Sequence, residues 1–234
     1  LWSMLYNEKK HVITSAIEHP AVLKVLEELQ YFGITFDVLP VDSTGLVDPK
    51  DVEMAIKKDT GMISIMYVNN EIGTIQSLQK LIEISKKRSI LFHSDCVQVI
   101  GKLPLSVLKI EADYMTFSAH KFYGPKGIGF LYRRKGAPLR PLVIGGGQES
   151  NIRAGTENIS GIAGLGVAAT LADQNLNSRI DHLFQLEKYF KNNIIQKLPH
   201  IIFNGNNDQH IPGLCSITIP RKKNEIVLAK LDRK

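Results

Sequence analysis

Short apolar runs and helix-period patterns alternate along most of this chain. His11-Val-Ile-Thr-Ser15 is the first strand-like run, and a helical pattern follows from about Pro20 to Tyr31. Its proline falls near the first helical position, where a missing N–H costs nothing. Gly33 closes that helix, and Ile34–Leu39 reads as the next strand. Ser43–Asp48 is a turn segment; Asp48 then caps a second helix with Pro49 at its first position. Met62–Val68 is apolar nearly throughout, the pattern of a strand buried on both faces. A helix over about Ser77–Arg88 leads to a strand at Ile90–Ser94, and Val97–Lys109 precedes another at Asp113–Phe117. This alternation predicts an α/β fold: a doubly wound, mainly parallel sheet with helices on both faces. In such sheets ligands collect outside the carboxyl ends of the strands.

From about Thr156 the texture changes. Gly161–Ala169 is a helix of small residues suited to close packing, and Ser178–Lys197 carries apolar residues near helical period. Ile201–Phe203 and Leu214–Ile219 read as strands, and Asn224–Leu231 as a helix. The pattern divides into a large domain over residues 1–172 and the start of a smaller α/β domain over 173–234. There is no internal repeat or low-complexity tract.

Composition narrows the function classes. The chain has 234 residues, 44% hydrophobic and 22% charged, as in ordinary globular proteins. No apolar run approaches the roughly 20 residues of a membrane-spanning helix. The stretch Leu1–Lys10 lacks a signal-peptide layout and an initiator methionine, so a cytoplasmic fragment is expected, or a mitochondrial or other organellar one in a eukaryote. Net charge is +6, but the basic clusters at 86–88, 133–135 and 221–223 fall at element ends without interleaved aromatics. That excludes a nucleic-acid surface from the expectations. Cys96 and Cys215 give no metal-ligand spacing, and Cys215 alternates with Ile217 and Ile219 as a core residue would. No metal site is expected.

The chemistry concentrates in Ser118-Ala-His-Lys-Phe-Tyr-Gly-Pro-Lys-Gly-Ile-Gly129, a breaker-rich loop at a strand's end. Lys121 is flanked there by the anion-binding groups Ser118 and His120. This suits a Schiff base with a phosphorylated aldehyde, pyridoxal 5′-phosphate; the bland reading is a solvated loop lysine. Other strand ends carry His19, Asn69-Asn70-Glu71, and Asp95 with Gln98. Asp95 beside a pyridine nitrogen would keep it protonated. Gln98 and Asn70 could bond the ring's hydroxyl oxygen, and His19 could stack on the ring and move protons. Lys121 must lose its proton to react, which burial and nearby positive charge favour. Taken singly, each residue has a structural explanation: a cap, a core histidine, a turn. Their placement at successive strand ends is what points to one site.

The series Glu18-His19, Val68-Asn-Asn-Glu-Ile-Gly73, Asp95-Cys-Val-Gln98, Ser118-Ala-His-Lys121, Gly124-Pro-Lys-Gly-Ile-Gly129, Gly145-Gly-Gly-Gln-Glu149 and Arg153-Ala-Gly-Thr156 resembles the cysteine desulfurases. These are class V aminotransferases of fold type I. The resemblance implies Lys121 and His19 as catalytic residues. It implies pyridoxal phosphate held by His19, Asn70, Asp95, Gln98, Ser118, His120 and Lys121. Thr156 would reach the phosphate in a neighbouring subunit, so a homodimer is implied. The implied substrate is L-cysteine, converted to alanine with sulfur passed as a persulfide to acceptors such as an iron–sulfur scaffold, or used for thiolation. Cys96 stands where the family has a small residue and is expected to substitute for alanine rather than to carry sulfur. The family's phosphate-binding segment is expected before Leu1 and its catalytic cysteine beyond Lys234, so this chain by itself is expected to lack turnover. Other readings are a selenocysteine lyase, a small-molecule aminotransferase, or an inactive relative kept for partner binding.

Overall fold

Six strands form the central sheet of the computed structural model, which describes residues 1–233. They are β1 (His11–Ser15), β2 (Thr35–Leu39), β3 (Thr60–Ser64), β4 (Leu91–Asp95), β5 (Tyr114–Ser118) and β6 (Gly129–Arg133), in the order β2-β1-β3-β4-β5-β6. β1 to β5 are parallel, and β6 pairs antiparallel with β5 at the edge. The chain builds outward from β1 in both directions, so the sheet has its switch point between β1 and β3, where a ligand crevice is expected.

The helices begin where side chains supply the missing acceptors. α1 (Pro20–Gln30) starts with Pro20 after His19, whose Nδ1 accepts from the Ala21 N–H. α2 (Pro49–Ala55) is capped by Asp48 through the Lys50 N–H at 2.9 Å. α3 (Leu78–Lys87) and the single turn α4 (Val107–Ile110) follow. Neighbouring strand residues point to opposite faces, so both faces need cover. Val12, Met62 and Tyr114 pack with Val22, Leu26 and Leu29 of α1. Ile13, Ile63, Phe92 and Met115 pack on the other side with Val52 of α2 and Leu78, Leu81 and Ile82 of α3. That double burial is why these strands read as unbroken apolar runs.

Beyond a short turn α5 (Gln148–Asn151) come α6 (Ile159–Gln174) and α7 (Leu176–Lys197). Ala168 and Ala172 of α6 press on Ala119 and Phe122 of the lysine loop. A side chain at Gly164 would lie 2.6 Å from Pro125 Cγ, so the small residues of this helix serve close approach. β7 (Ile202–Phe203) and β8 (Ile217–Thr218) form an antiparallel ribbon, and α8 (Asn224–Leu231) follows. The segment between these two strands is tied to the large sheet's loops by Ile75 N–H to Gln209 O at 2.8 Å and Ile211 N–H to Gly73 O at 3.0 Å. Among the described residues no helix is long and apolar enough to cross a membrane.

Two expectations need correction. β3 ends at Ser64, not Val68, although the extended backbone goes on bonding to β4 through Ile65 N–H to His93 O and Tyr67 N–H to Asp95 O. Val68 then leaves the ladder because it bridges to Ile75 instead. The last strand is Ile217–Thr218 rather than Leu214–Ile219, and Cys215 is half-buried, outside the strand and not in the core. A two-stranded ribbon resting on α7 does not enclose its side chains, and Cys215, Ile217 and Ile219 all stay half-buried.

Candidate active site

The parallel strands open their carboxyl ends on one edge of the sheet, and a cavity of about 650 Å³ lies there. Its walls include His19 after β1, Asn70 after β3, and Asp95 and Gln98 at and after β4. The loop after β5 adds Ser118, His120 and Lys121. Seven of the eight expected residues therefore meet in one place. Thr156 does not line the cavity and is exposed.

Lys121 sits on a 3₁₀ turn (Ala119–Phe122) that immediately continues β5. Ala119 and Phe122 are buried and anchor the turn, whereas Lys121 is exposed. The turn sinks Ala119 and Phe122 into the protein and leaves His120 and Lys121 open on the cavity wall. Gly127 takes φ +77°, a left-handed conformation that a side chain would strain, and so lets the chain turn back into β6. Ser118 Oγ and His120 Nδ1 are 2.8 Å apart.

Asp95 ends β4, and its Oδ1 accepts from the Val97 N–H at 2.9 Å. Burial pushes its carboxyl above the usual range, opposed by that N–H and by the nearby His19. A carboxyl held this way shares a proton readily with a basic nitrogen. His19 Nδ1 accepts from a backbone N–H at 3.1 Å. A nitrogen that accepts carries no proton, so the neutral ring holds its proton on Nε2.

The neighbouring asparagines divide their tasks. Asn69 is buried and builds the loop: its Oδ1 accepts from the N–H groups of Glu71 and Ile72, and its Nδ2 donates to Ile17 O. Asn70 is left to face the cavity.

Further wall residues escaped the sequence reading. His93 lies two residues before Asp95 and Thr116 two before Ser118, so the period-two rule for strands marks both as sharing a face with a site residue. His93 bonds Ser64 Oγ at 2.8 Å through Nδ1, and burial above all pushes it down to about 3, so it is a neutral support. Trp2 and Leu142 also line the cavity, and no local pattern announces either.

Neither thiol is poised to react. Cys96 is fully buried, and burial, only partly offset by Ser94, pushes it up to about 12. Burial raises Cys215 as well. A thiol reagent under native conditions is expected to leave Cys96 unmodified until the protein unfolds, while half-buried Cys215 reacts slowly. Rapid native labelling of Cys96 would contradict this environment.

The aminotransferase class-V family model matches residues 2–234. The chain is 43% identical over 228 residues to the cysteine desulfurase IscS of Dictyoglomus turgidum, covering 97% of this chain and 58% of that protein. A solved NifS-like protein is 37% identical with a TM-score of 0.94, over 99% of this chain and 63% of that one. SspA in complex with cysteine is 33% identical with a TM-score of 0.79, over 100% of this chain and 64% of that one. The chain thus spans about 58% of the length of the curated relative it matches.

Proposed function

The chain belongs to the class-V aminotransferase family, and on that premise we propose that it is the cofactor-binding part of a cysteine desulfurase. Such an enzyme converts L-cysteine to L-alanine and hands the sulfur on as an enzyme persulfide. The observation that carries this reading is the convergence of Lys121, Asp95, Gln98, Asn70 and His19 from four strand ends on one cavity. Residues 1–172 would form the cofactor domain and residues 173–234 part of the smaller domain.

The donor set fits pyridoxal 5′-phosphate. A primary amine stands where an aldehyde would be held, and a half-buried carboxyl stands ready for a ring nitrogen. Two side-chain amides suit a ring hydroxyl, and a hydroxyl–imidazole pair suits a phosphate. When bound, the group supplies an electron sink for charge developing at the substrate's α-carbon. Lys121 would bind the aldehyde carbon through Nζ and take up or release a proton there. Asp95 would hold a proton at the ring nitrogen. Asn70 and Gln98 would orient the ring through its hydroxyl oxygen, and Ser118 and His120 would hold the phosphate. His19 would cover the ring face and deliver a proton from Nε2, since its Nδ1 is already committed to Ala21. Trp2, Met66 and Leu142 add apolar walls that exclude water. The thiol that takes the sulfur is not Cys96, whose burial and raised thiol forbid it.

A homodimer belongs to the same reading. Thr156 is exposed and away from this chain's cavity, which supports a role in a second copy's site. Exposed Ile159, Ile162, Val167 and Leu171 on α6 would be covered by that copy. The sulfur would pass to acceptor proteins such as an iron–sulfur scaffold, in a cytoplasmic or organellar compartment.

The test is direct. Full-length protein, incubated with L-cysteine, pyridoxal phosphate and a thiol reductant, is expected to release sulfide and alanine in equal amounts. Transamination without sulfide would sink the proposal in favour of an aminotransferase, and preference for selenocysteine in favour of a lyase.

A further inference from the structure

Gln98 is an amide whose two ends differ in chemistry but hardly in shape, so nothing steric decides which end faces the cavity. If its oxygen turned inward, it would repel an anionic ligand atom; if its nitrogen does, it donates. The structure contains the group that decides. After β4 the chain makes tight turns, with Val99 N–H to Cys96 O and Lys102 N–H to Val99 O both at 3.0 Å. This brings Lys102, four residues on, back over Gln98. Its Nζ lies 2.5 Å from Gln98 Oε1. An ammonium only donates, so its partner must be the carbonyl oxygen. The Gln98 nitrogen has no hydrogen-bond partner among the described residues, and Gln98 is a wall residue with 8% exposure, held rather than free in solvent.

We propose that Lys102 is a positioning residue that locks the Gln98 amide with its oxygen engaged and its N–H groups left for an anionic oxygen of the ligand. Lys102 itself does not line the cavity and acts only through Gln98. It is half-buried, and burial followed by the charge of Lys121 draws its ammonium below the usual lysine range. A charge-assisted bond of this kind is about twice as strong as one between neutral groups, so it holds one amide orientation where a water would not.

The proposal rests on the cofactor reading above, and its test separates the two. In unliganded full-length protein, ¹⁵N relaxation reports the order of the Gln98 side-chain NH₂. Lys102→Met is expected to drop its order parameter from the rigid range to below about 0.6, and Lys102→Arg to keep it rigid. An unchanged value in Lys102→Met overturns the proposal, whatever the cofactor does. In titrations with pyridoxal phosphate, Lys102→Met is expected to weaken binding about tenfold, and Lys102→Arg to restore most of it. That penalty should vanish when Gln98 is alanine, and also with the 3-deoxy analogue, which lacks the ring hydroxyl. The same penalty in the Gln98→Ala background means that Lys102 acts by another route and overturns the proposal. A merely structural role would lower the melting temperature without this coupling. If wild-type protein binds no pyridoxal phosphate, the cofactor reading falls and the relaxation measurement alone decides the Lys102–Gln98 lock.

Discussion

Lys121→Ala in the full-length protein is expected to abolish both turnover and the visible absorbance of lysine-bound cofactor, while the fold survives. Lys121 is the amine in the cavity wall, and no other side chain there offers one for covalent attachment. Loss of a covalent attachment point typically costs a thousandfold or more, so turnover should fall by at least about that factor. The stability change should be small. Lys121 is exposed, its side chain has no hydrogen bond or ion pair among the described residues, and the turn is held by buried Ala119 and Phe122. An exposed substitution of this kind moves stability by about 0.5 kcal/mol or less. Borohydride reduction followed by peptide mapping should place the cofactor on Lys121 in wild type and nowhere in the variant. Label on Lys126 instead would show that the wrong lysine was chosen.

The second large effect concerns Glu18 and appears in the pH dependence of stability. Glu18 is buried at 6% exposure, and its Oε1 accepts from Ser15 Oγ at 2.6 Å and from the Met66 N–H at 2.8 Å. Its Oε2 is buried with no partner. Burial, far more than repulsion from Asp95, raises the carboxyl to about 7, against the lowering pull of Ser15 and Met66. The raised folded value means that the native state keeps a proton that the unfolded chain has released. Stability is therefore unaffected below about pH 4.5, falls between about 4.5 and 7, and stays reduced above that range. The full loss is about 3 kcal/mol, an order-of-magnitude figure from the size of the shift. Glu18→Gln copies the protonated carboxyl without the titration. Its Oε1 can still accept both bonds that tie the loop after β1 to the segment after β3. Urea unfolding is expected to show the variant near wild type at pH 4.5 and more stable by up to about 3 kcal/mol at pH 8. An advantage that does not change with pH would mean that Glu18 titrates alike in the folded and unfolded chain, with no raised value in the fold.

Much of this molecule could be read from local sequence. Pro20, Asp48 and Pro49 mark helix starts because their backbone and side-chain geometry acts within one turn of the chain. Gly33 at φ +85° and Gly127 at φ +77° mark turns because other residues resist those angles. The βα alternation implied a parallel sheet, and a parallel sheet puts every strand's carboxyl end on one edge. That is why His19, Asn70, Asp95, Gln98, Ser118, His120 and Lys121 could be named as one site from their positions after successive strands.

Tertiary structure decided the rest. Local pattern does not specify that β1 sits between β2 and β3, because strand order depends on contacts summed over distant segments. It does not tell Asn69 from Asn70, since the difference is that Ile17, 52 residues away, engages one of them. Nor does it reveal that Trp2 and Leu142 close the cavity, or that Glu18 ends up buried against Met66 with a bare oxygen. It suggested a core Cys215, and packing left that residue half-buried. The sequence by itself determined which residue types stand at the strand ends, because backbone preferences act over a few neighbours. Which of them are buried, charged or oriented came only from the assembled structure, since desolvation and hydrogen-bond partners are supplied by residues far away along the chain.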